Sequence, residues 1–280
     1  MKKGRMERQE RGTARRGVLF YLIPVFLLTV LFVSGGLFLR DFMQYRHAGQ
    51  EYSGLESYIY MEAETVPETE HAPEPSETAE YFPDIRVDTA ALCEINPDFS
   101  SVLYIPVLEL QYPVAASRDN ADYLHTTFRG ESNYAGCIFL DANADGSYEE
   151  GNTFLFGHNM KDGSMFGKLK NLLRDPELLK RDPYIYLYTK DKIRKYRIFS
   201  CYHTTTESPS YEDFFGEEGY DSYVKRALSY SSCQEDPENA VDFTKRPRLL
   251  TLSTCAGRSG SNQRTLVHAA LVAERPADSE

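Results

Sequence analysis

The chain has 280 residues and a formal net charge of −11. That balance argues against a nucleic-acid binder, which needs a net basic face for phosphate. The 20 tyrosines and absence of tryptophan suit β-strands.

The N-terminus sets the compartment. Lys2, Lys3, Arg5, Arg8, Arg11, Arg15 and Arg16 precede an uncharged, mostly apolar run over 18–39. That run holds about 22 residues, enough to span a bilayer as one helix. Only Arg40 and Arg46 follow closely. The positive-inside rule then makes 1–17 a cytoplasmic basic tail and 18–39 a transmembrane anchor. The expected topology is single-pass type II at the cell membrane, with the rest outside. A cleaved signal peptide would have a shorter apolar region, and Ser34-Gly35-Gly36 is a poor cleavage site.

Residues 40–81 read as a tether. Between Glu51 and Glu80 there are glutamates and no Lys or Arg, and Pro67, Pro73 and Pro75 interrupt the segment. Such a stretch cannot bury enough apolar surface to fold. The run Tyr58-Ile59-Tyr60-Met61 suggests a brief turn within it. The folded domain is expected over 82–280, about 200 residues and enough for one core.

Within that domain the pattern predicts a short helix over 89–94, ended by Asn96-Pro97. Strands follow at 102–105, 112–115, 137–140, 153–156, 184–188 and 195–199, with Asp191-Lys192 as a turn between the last two. Two more, 249–254 and 265–272, complete the set. Eight short strands predict a mainly β fold, a closed or nearly closed barrel. Helical spacing of apolar residues predicts insertions over 165–173 and 220–230, the second just before the 249–254 strand.

The five cysteines are Cys93, Cys137, Cys201, Cys233 and Cys255. The odd count and the absence of a CxxC pair point away from a disulfide framework and from a zinc site. Cys93, Cys137 and Cys201 read as small apolar core residues; nothing assigns Cys233 a role.

Cys255 differs in context. It ends the strand Thr251-Leu252-Ser253-Thr254-Cys255, and a small, polar loop follows. A thiol at such a rim is reachable by substrate, and a neighbouring base or cation would raise its thiolate fraction. His158, in Phe156-Gly157-His158-Asn159-Met160, is the candidate base, with Asn159 able to hydrogen-bond nearby groups. His203 and His268 are rivals by position, His268 as a residue that could face solvent from its strand. Arg264 on the next strand could hold a substrate carbonyl and its oxyanion; Arg258 is its local rival. Nucleophile, proton carrier and fixed cation are the parts of a thiol acyl-transfer enzyme.

Asp141-Ala142-Asn143-Ala144-Asp145-Gly146 imitates the start of a calcium loop, but Asn152 stands where the closing acid is needed. Flanking strands make it a turn.

Together these motifs resemble a sortase of class B. The TLSTC strand with Arg264-Thr265-Leu266-Val267 after it, the GHNM segment, Ile95-Asn96-Pro97-Asp98 and Asn120-Ala121-Asp122-Tyr123-Leu124 occur in the family's order. Phe156 departs from a tyrosine usual in class B. The resemblance implies an eight-stranded sortase barrel with an N-terminal helical segment and a helix inserted before the nucleophile strand. It implies a membrane-anchored cysteine transpeptidase of a Gram-positive-type cell, with no metal or cofactor. Cys255 would attack a threonine carbonyl in a C-terminal sorting signal of a secreted protein. A peptidoglycan-precursor or stem-peptide amine would take the acyl group. By the same resemblance His158 manages protons and Arg264 steadies the oxyanion. Ser253, Thr254, Asn120 and Leu124 would line the groove. Signals like N-P-x-T-N and like P-x-T-G are both compatible, as is a pilin lysine acceptor. The alternatives are a cell-surface cysteine peptidase and a non-catalytic binding module.

Overall fold

A computed structural model describes residues 3–61, 80–233, 240–256 and 260–277. The chain divides into two compact units, Met1–His47 and Ala48–Glu280.

The first unit consists of most of α1 (Lys3–Leu55). Its described side chains from Phe20 to Leu39 are exposed and largely apolar. Among the described residues one helix is long and apolar enough to cross a membrane, with a mean hydropathy of 2.5.

The second unit begins at Ala48, well before the start at 82 expected from composition. Ala48, Tyr52, Leu55 and Ile59 are all buried. Their spacing is that of one helical stripe running into β1 (Ile59–Met61), so the end of α1 packs on the domain and is no tether. Tyr52 donates through its hydroxyl to the Gly136 carbonyl at 2.7 Å and stands edge-on to Tyr112. β1 pairs antiparallel with β2 (Ile85–Val87). The proline-rich part of the expected tether lies outside the described residues.

The helix α2 (Thr89–Ile95) starts where its cap allows. The Asp88 carboxylate accepts from the Ala91 amide at 2.8 Å, a cap worth about 1 kcal/mol. Beyond it β3 (Phe99–Ile105), β4 (Leu110–Ala116), β5 (Ile138–Leu140) and β6 (Asn152–Phe156) form half the barrel. The expected helix over 165–173 is broken. A single 3-10 turn over Phe166–Lys168 precedes α3 (Lys170–Arg174), and α4 (Glu177–Arg181) follows. Next come β7 (Tyr184–Tyr188), β8 (Lys192–Thr205), α5 (Gly216–Tyr230), β9 (Leu249–Cys255) and β10 (Gln263–Pro276).

β3 to β10 close into an eight-stranded barrel in the order β10-β8-β7-β3-β4-β5-β6-β9. The β4–β5 and β6–β9 pairs are parallel and the others antiparallel. Closure removes the exposed strand edges that short strands would otherwise present. Leu155, Leu250 and Leu252 are fully buried on the inner face of β6 and β9. On the outer face Tyr220, Tyr223, Val224 and Ala227 of α5 pack against Phe199, Leu249 and Ala270.

The Asp141–Gly146 run is a turn between β5 and β6, flanked by strands as expected. Two cysteine readings are corrected. Cys93 is exposed, because it sits on the solvent face of α2. Cys201 is bonded to Cys233, which ties β8 to the segment just after α5.

Candidate active site

Strand alternation decides which residues share the face of Cys255. Successive side chains point to opposite faces, so Ser253 lies on the Cys255 side and Thr254 on the other. Thr254 is only 4% exposed, and its buried hydroxyl makes no hydrogen bond. Its side chain therefore turns into the barrel rather than into a groove beside Cys255, contrary to the expectation that both line it. Ser253 is buried too, with its hydroxyl 2.7 Å from that of Tyr211. Tyr211 stacks on Phe154 with centroids 5.8 Å apart. Burial raises the pKa of the Tyr211 phenol, and the nearby Cys255 and Arg264 act on it in opposite senses. Tyr211 thus sits by the site, although no sequence pattern marks it.

Cys255 closes β9 and is exposed. Of the other free thiols, Cys137 is buried, and burial pushes its pKa up to about 12. Register then brings the arginine in. Arg264 of β10 pairs directly with Cys255, and directly paired antiparallel residues project to the same face. Arg264 is half-buried, and its Nη1 donates to the carbonyls of Ser261 at 3.0 Å and Gln263 at 2.8 Å. Arg258, the local rival, lies outside the described residues.

His158 follows β6 by two residues. The Gly157 amide donates to the Ser253 carbonyl at 3.2 Å, extending the β6–β9 ladder to the histidine. A side chain at Gly157 would collide with the Phe166 ring, which lies 2.9 Å from a Cβ built there. Asn159 Nδ2 donates to the Cys255 carbonyl at 2.9 Å, fastening the histidine loop to the end of β9. His158 Nε2 lies 2.7 Å from the Leu124 carbonyl oxygen. A carbonyl only accepts, so Nε2 carries the proton in the neutral ring and Nδ1 is the basic atom. Burial lowers the His158 pKa, helped by the charge of His125 and opposed by the Leu124 bond. The neutral, proton-accepting form is favoured.

Both rival histidines are placed elsewhere. His268 is fully buried, not solvent-facing, between the Thr251 hydroxyl and the Tyr202 hydroxyl, each 2.9 Å away. His203 is exposed and bonds Thr265 Oγ1.

Of the other expected groove residues, Leu124 is 36% exposed and also supplies the carbonyl that holds His158. Asn120 adopts φ 60°, and its Oδ1 accepts from the Ala142 amide at 2.8 Å. That bond joins the loop after β4 to the loop after β5.

The closed eight-stranded barrel presents an exposed thiol at a strand end, with an arginine in register beside it and a histidine loop tethered to the same strand, a layout suited to thiol acyl transfer. A family profile described as the sortase domain matches residues 103–272. Sortase B of Listeria monocytogenes is 34% identical over 176 residues, covering 61% of this chain and 68% of that protein. Sortase B of Staphylococcus aureus is 30% identical over 174 residues, with the same coverages of 61% and 68%. Among solved structures, B. anthracis sortase B in complex with AAEK1 aligns with a TM-score of 0.64 at 28% identity. That alignment covers 82% of this chain and 99% of the other. The S. aureus sortase B–substrate complex aligns with a TM-score of 0.60 at 29% identity, covering 65% of this chain and 83% of that one. The chain belongs to the sortase family, as a member of class B.

Proposed function

We propose that the protein is a membrane-anchored transpeptidase that cleaves a C-terminal sorting signal and passes the acyl group to a cell-wall amine. The observation that carries this reading is the paired register of Cys255 with Arg264, joined through Asn159 to the His158 loop. His158 Nδ1 takes the proton of the Cys255 thiol as its sulfur attacks the backbone carbonyl carbon of a threonine, and Arg264 steadies the oxyanion. His158, carrying the thiol proton, gives it to the departing amine as the C–N bond breaks and a thioester forms. An incoming amine then attacks the thioester; His158 Nδ1 takes its proton and the thiolate is released. Ser253, Leu124 and Tyr211 border the groove in this reading.

The apolar stretch of α1 anchors the enzyme, with the basic N-terminus in the cytoplasm and the barrel outside. There it meets secreted substrates near the membrane. The S. aureus relative was solved as a substrate complex and a sortase B was solved in complex with triglycine, which supports triglycine as a probe amine.

The test is a mass-spectrometric screen of threonine-containing signal peptides with and without triglycine. Ligated product supports transpeptidation. Hydrolysis alone, unchanged by triglycine, supports the cysteine-peptidase reading. Cys255→Ala should form no acyl-enzyme, and continued turnover in that variant would sink the assignment.

A further inference from the structure

Three aromatic rings meet at His158. Its centroid lies 5.6 Å from that of His125 and 5.8 Å from that of Tyr134, which are themselves 6.1 Å apart. The three planes lie within 19° of one another. Near-equal separations of near-parallel rings form a triangle, so no ring is sandwiched and the other two lie beside His158 with large lateral offsets.

The two partners stand at the ends of one small hairpin between β4 and β5. The Asn133 amide donates to the His125 carbonyl at 2.9 Å, and the Thr127 amide to the Glu131 carbonyl at 2.9 Å. Thr126 and Ser132 form a bridge between them. The base of the hairpin is fixed. Gly136 has φ 60°, and a Cβ there would lie 2.5 Å from the carbonyl oxygens of both Tyr123 and Leu124. Any side chain at 136 would displace the Leu124 carbonyl that holds His158. The Gly136 carbonyl is held in turn by the Tyr52 hydroxyl.

His125 is exposed and Tyr134 is 48% exposed, so neither ring is needed to fill the core. The bond from Nε2 to Leu124 restrains one atom of the imidazole and leaves the ring free to pivot about it. The two neighbouring rings limit that pivot.

We propose that His125 and Tyr134 are positioning residues that clamp the His158 imidazole, fixing its plane and keeping Nδ1 as its basic atom. The inference rests on His158 being the proton carrier proposed above.

The experiment uses the full chain in detergent, labelled with 15N-histidine, carrying His125→Leu, His125→Phe, Tyr134→Leu or His158→Ala. Turnover of a cleavable signal peptide is measured beside the His158 tautomer by 15N NMR. In His125→Leu, kcat should fall about tenfold, a loss typical of a slightly misplaced catalytic group, while KM stays within about twofold. The His158 signal should become a mixture of tautomers. Tyr134→Leu should behave likewise, and His125→Phe, which keeps a ring, should restore kcat to within about threefold of the parent. Parental kcat with a parental tautomer in His125→Leu would overturn the proposal. So would a raised KM at unchanged kcat, which would make His125 a substrate contact, or failure of His125→Phe to restore activity. Normal turnover in His158→Ala would instead remove the underlying proton-carrier reading, and the tautomer spectra would still test the clamp.

Discussion

Asn159 donates its side-chain amide to the main-chain carbonyl of Cys255, so the loop that carries His158 is stitched directly to the end of β9. Three links in a row make this connection. The β6–β9 ladder runs to Phe156 and Ser253, the Gly157 amide extends it to the Ser253 carbonyl, and Asn159 completes it. Removing the last link should loosen the histidine loop without touching the core. Asn159→Ala is expected to lower kcat about tenfold. The melting temperature should fall by no more than the few degrees of about 1 kcal/mol. Steady-state kinetics and thermal melts check both numbers.

Arg264 is expected to be irreplaceable by lysine. It faces the site because its register places it opposite Cys255, and its Nη1 is already tied to the carbonyls of Ser261 and Gln263. The planar fork can serve those carbonyls and a substrate oxygen together, which one ammonium cannot. Arg264→Lys should reduce kcat/KM by about a hundredfold or more. A loss below about fivefold would move the oxyanion role elsewhere.

The buried His268 makes stability sensitive to acid. Burial pushes its pKa down to about 3, against about 6.5 in an unfolded chain. Above the unfolded value both states are neutral and the stability is intact. As the pH falls from there toward the folded value, only the unfolded chain takes up the proton. Stability is then lost at a slope approaching about 1.4 kcal/mol per pH unit from this group. His158, lowered by burial, adds in the same direction. Urea midpoints between pH 7 and 4 should fall less steeply in His268→Gln than in the parent, and equal slopes would refute the assignment.

The Cys201–Cys233 disulfide closes a loop with a sequence separation of 32. The chain-entropy relation gives about 3–4 kcal/mol for a loop of that length. A Cys201→Ser, Cys233→Ser double variant should therefore lose stability of that order in denaturant titrations. Reduction of the parent should reproduce the loss while leaving the Cys255 thiol available.

The eight barrel strands were legible from β-branched and aromatic runs bounded by turn residues, as in Tyr184–Tyr188 and Leu249–Cys255, whereas β8 and β10 extend to 14 residues each, past the expected 195–199 and 265–272. The inserted α5 was legible from the spacing of Tyr220, Tyr223, Val224 and Ala227, all of which are buried. The packed end of α1 was hidden because its acidic composition outweighed a sparse stripe at Ala48, Tyr52, Leu55 and Ile59. The pairing of Cys201 with Cys233 was hidden because nothing in a spacing of 32 residues says that two ends meet.

At the site, the sequence by itself supplied the candidates: a thiol at a strand end, a histidine after a glycine and an arginine on the next strand. Those identities follow from local residue types and from motif order. Only the tertiary structure decided the rest. The pleat of β9 keeps Ser253 beside Cys255 and turns Thr254 inward, and the packing of α5 on the outer face covers His268 while His158 stays at the rim. The hairpin carrying His125 and Tyr134 reaches His158 from more than twenty positions away in the chain. Such contacts depend on the register and closure of the whole sheet, which no local pattern encodes.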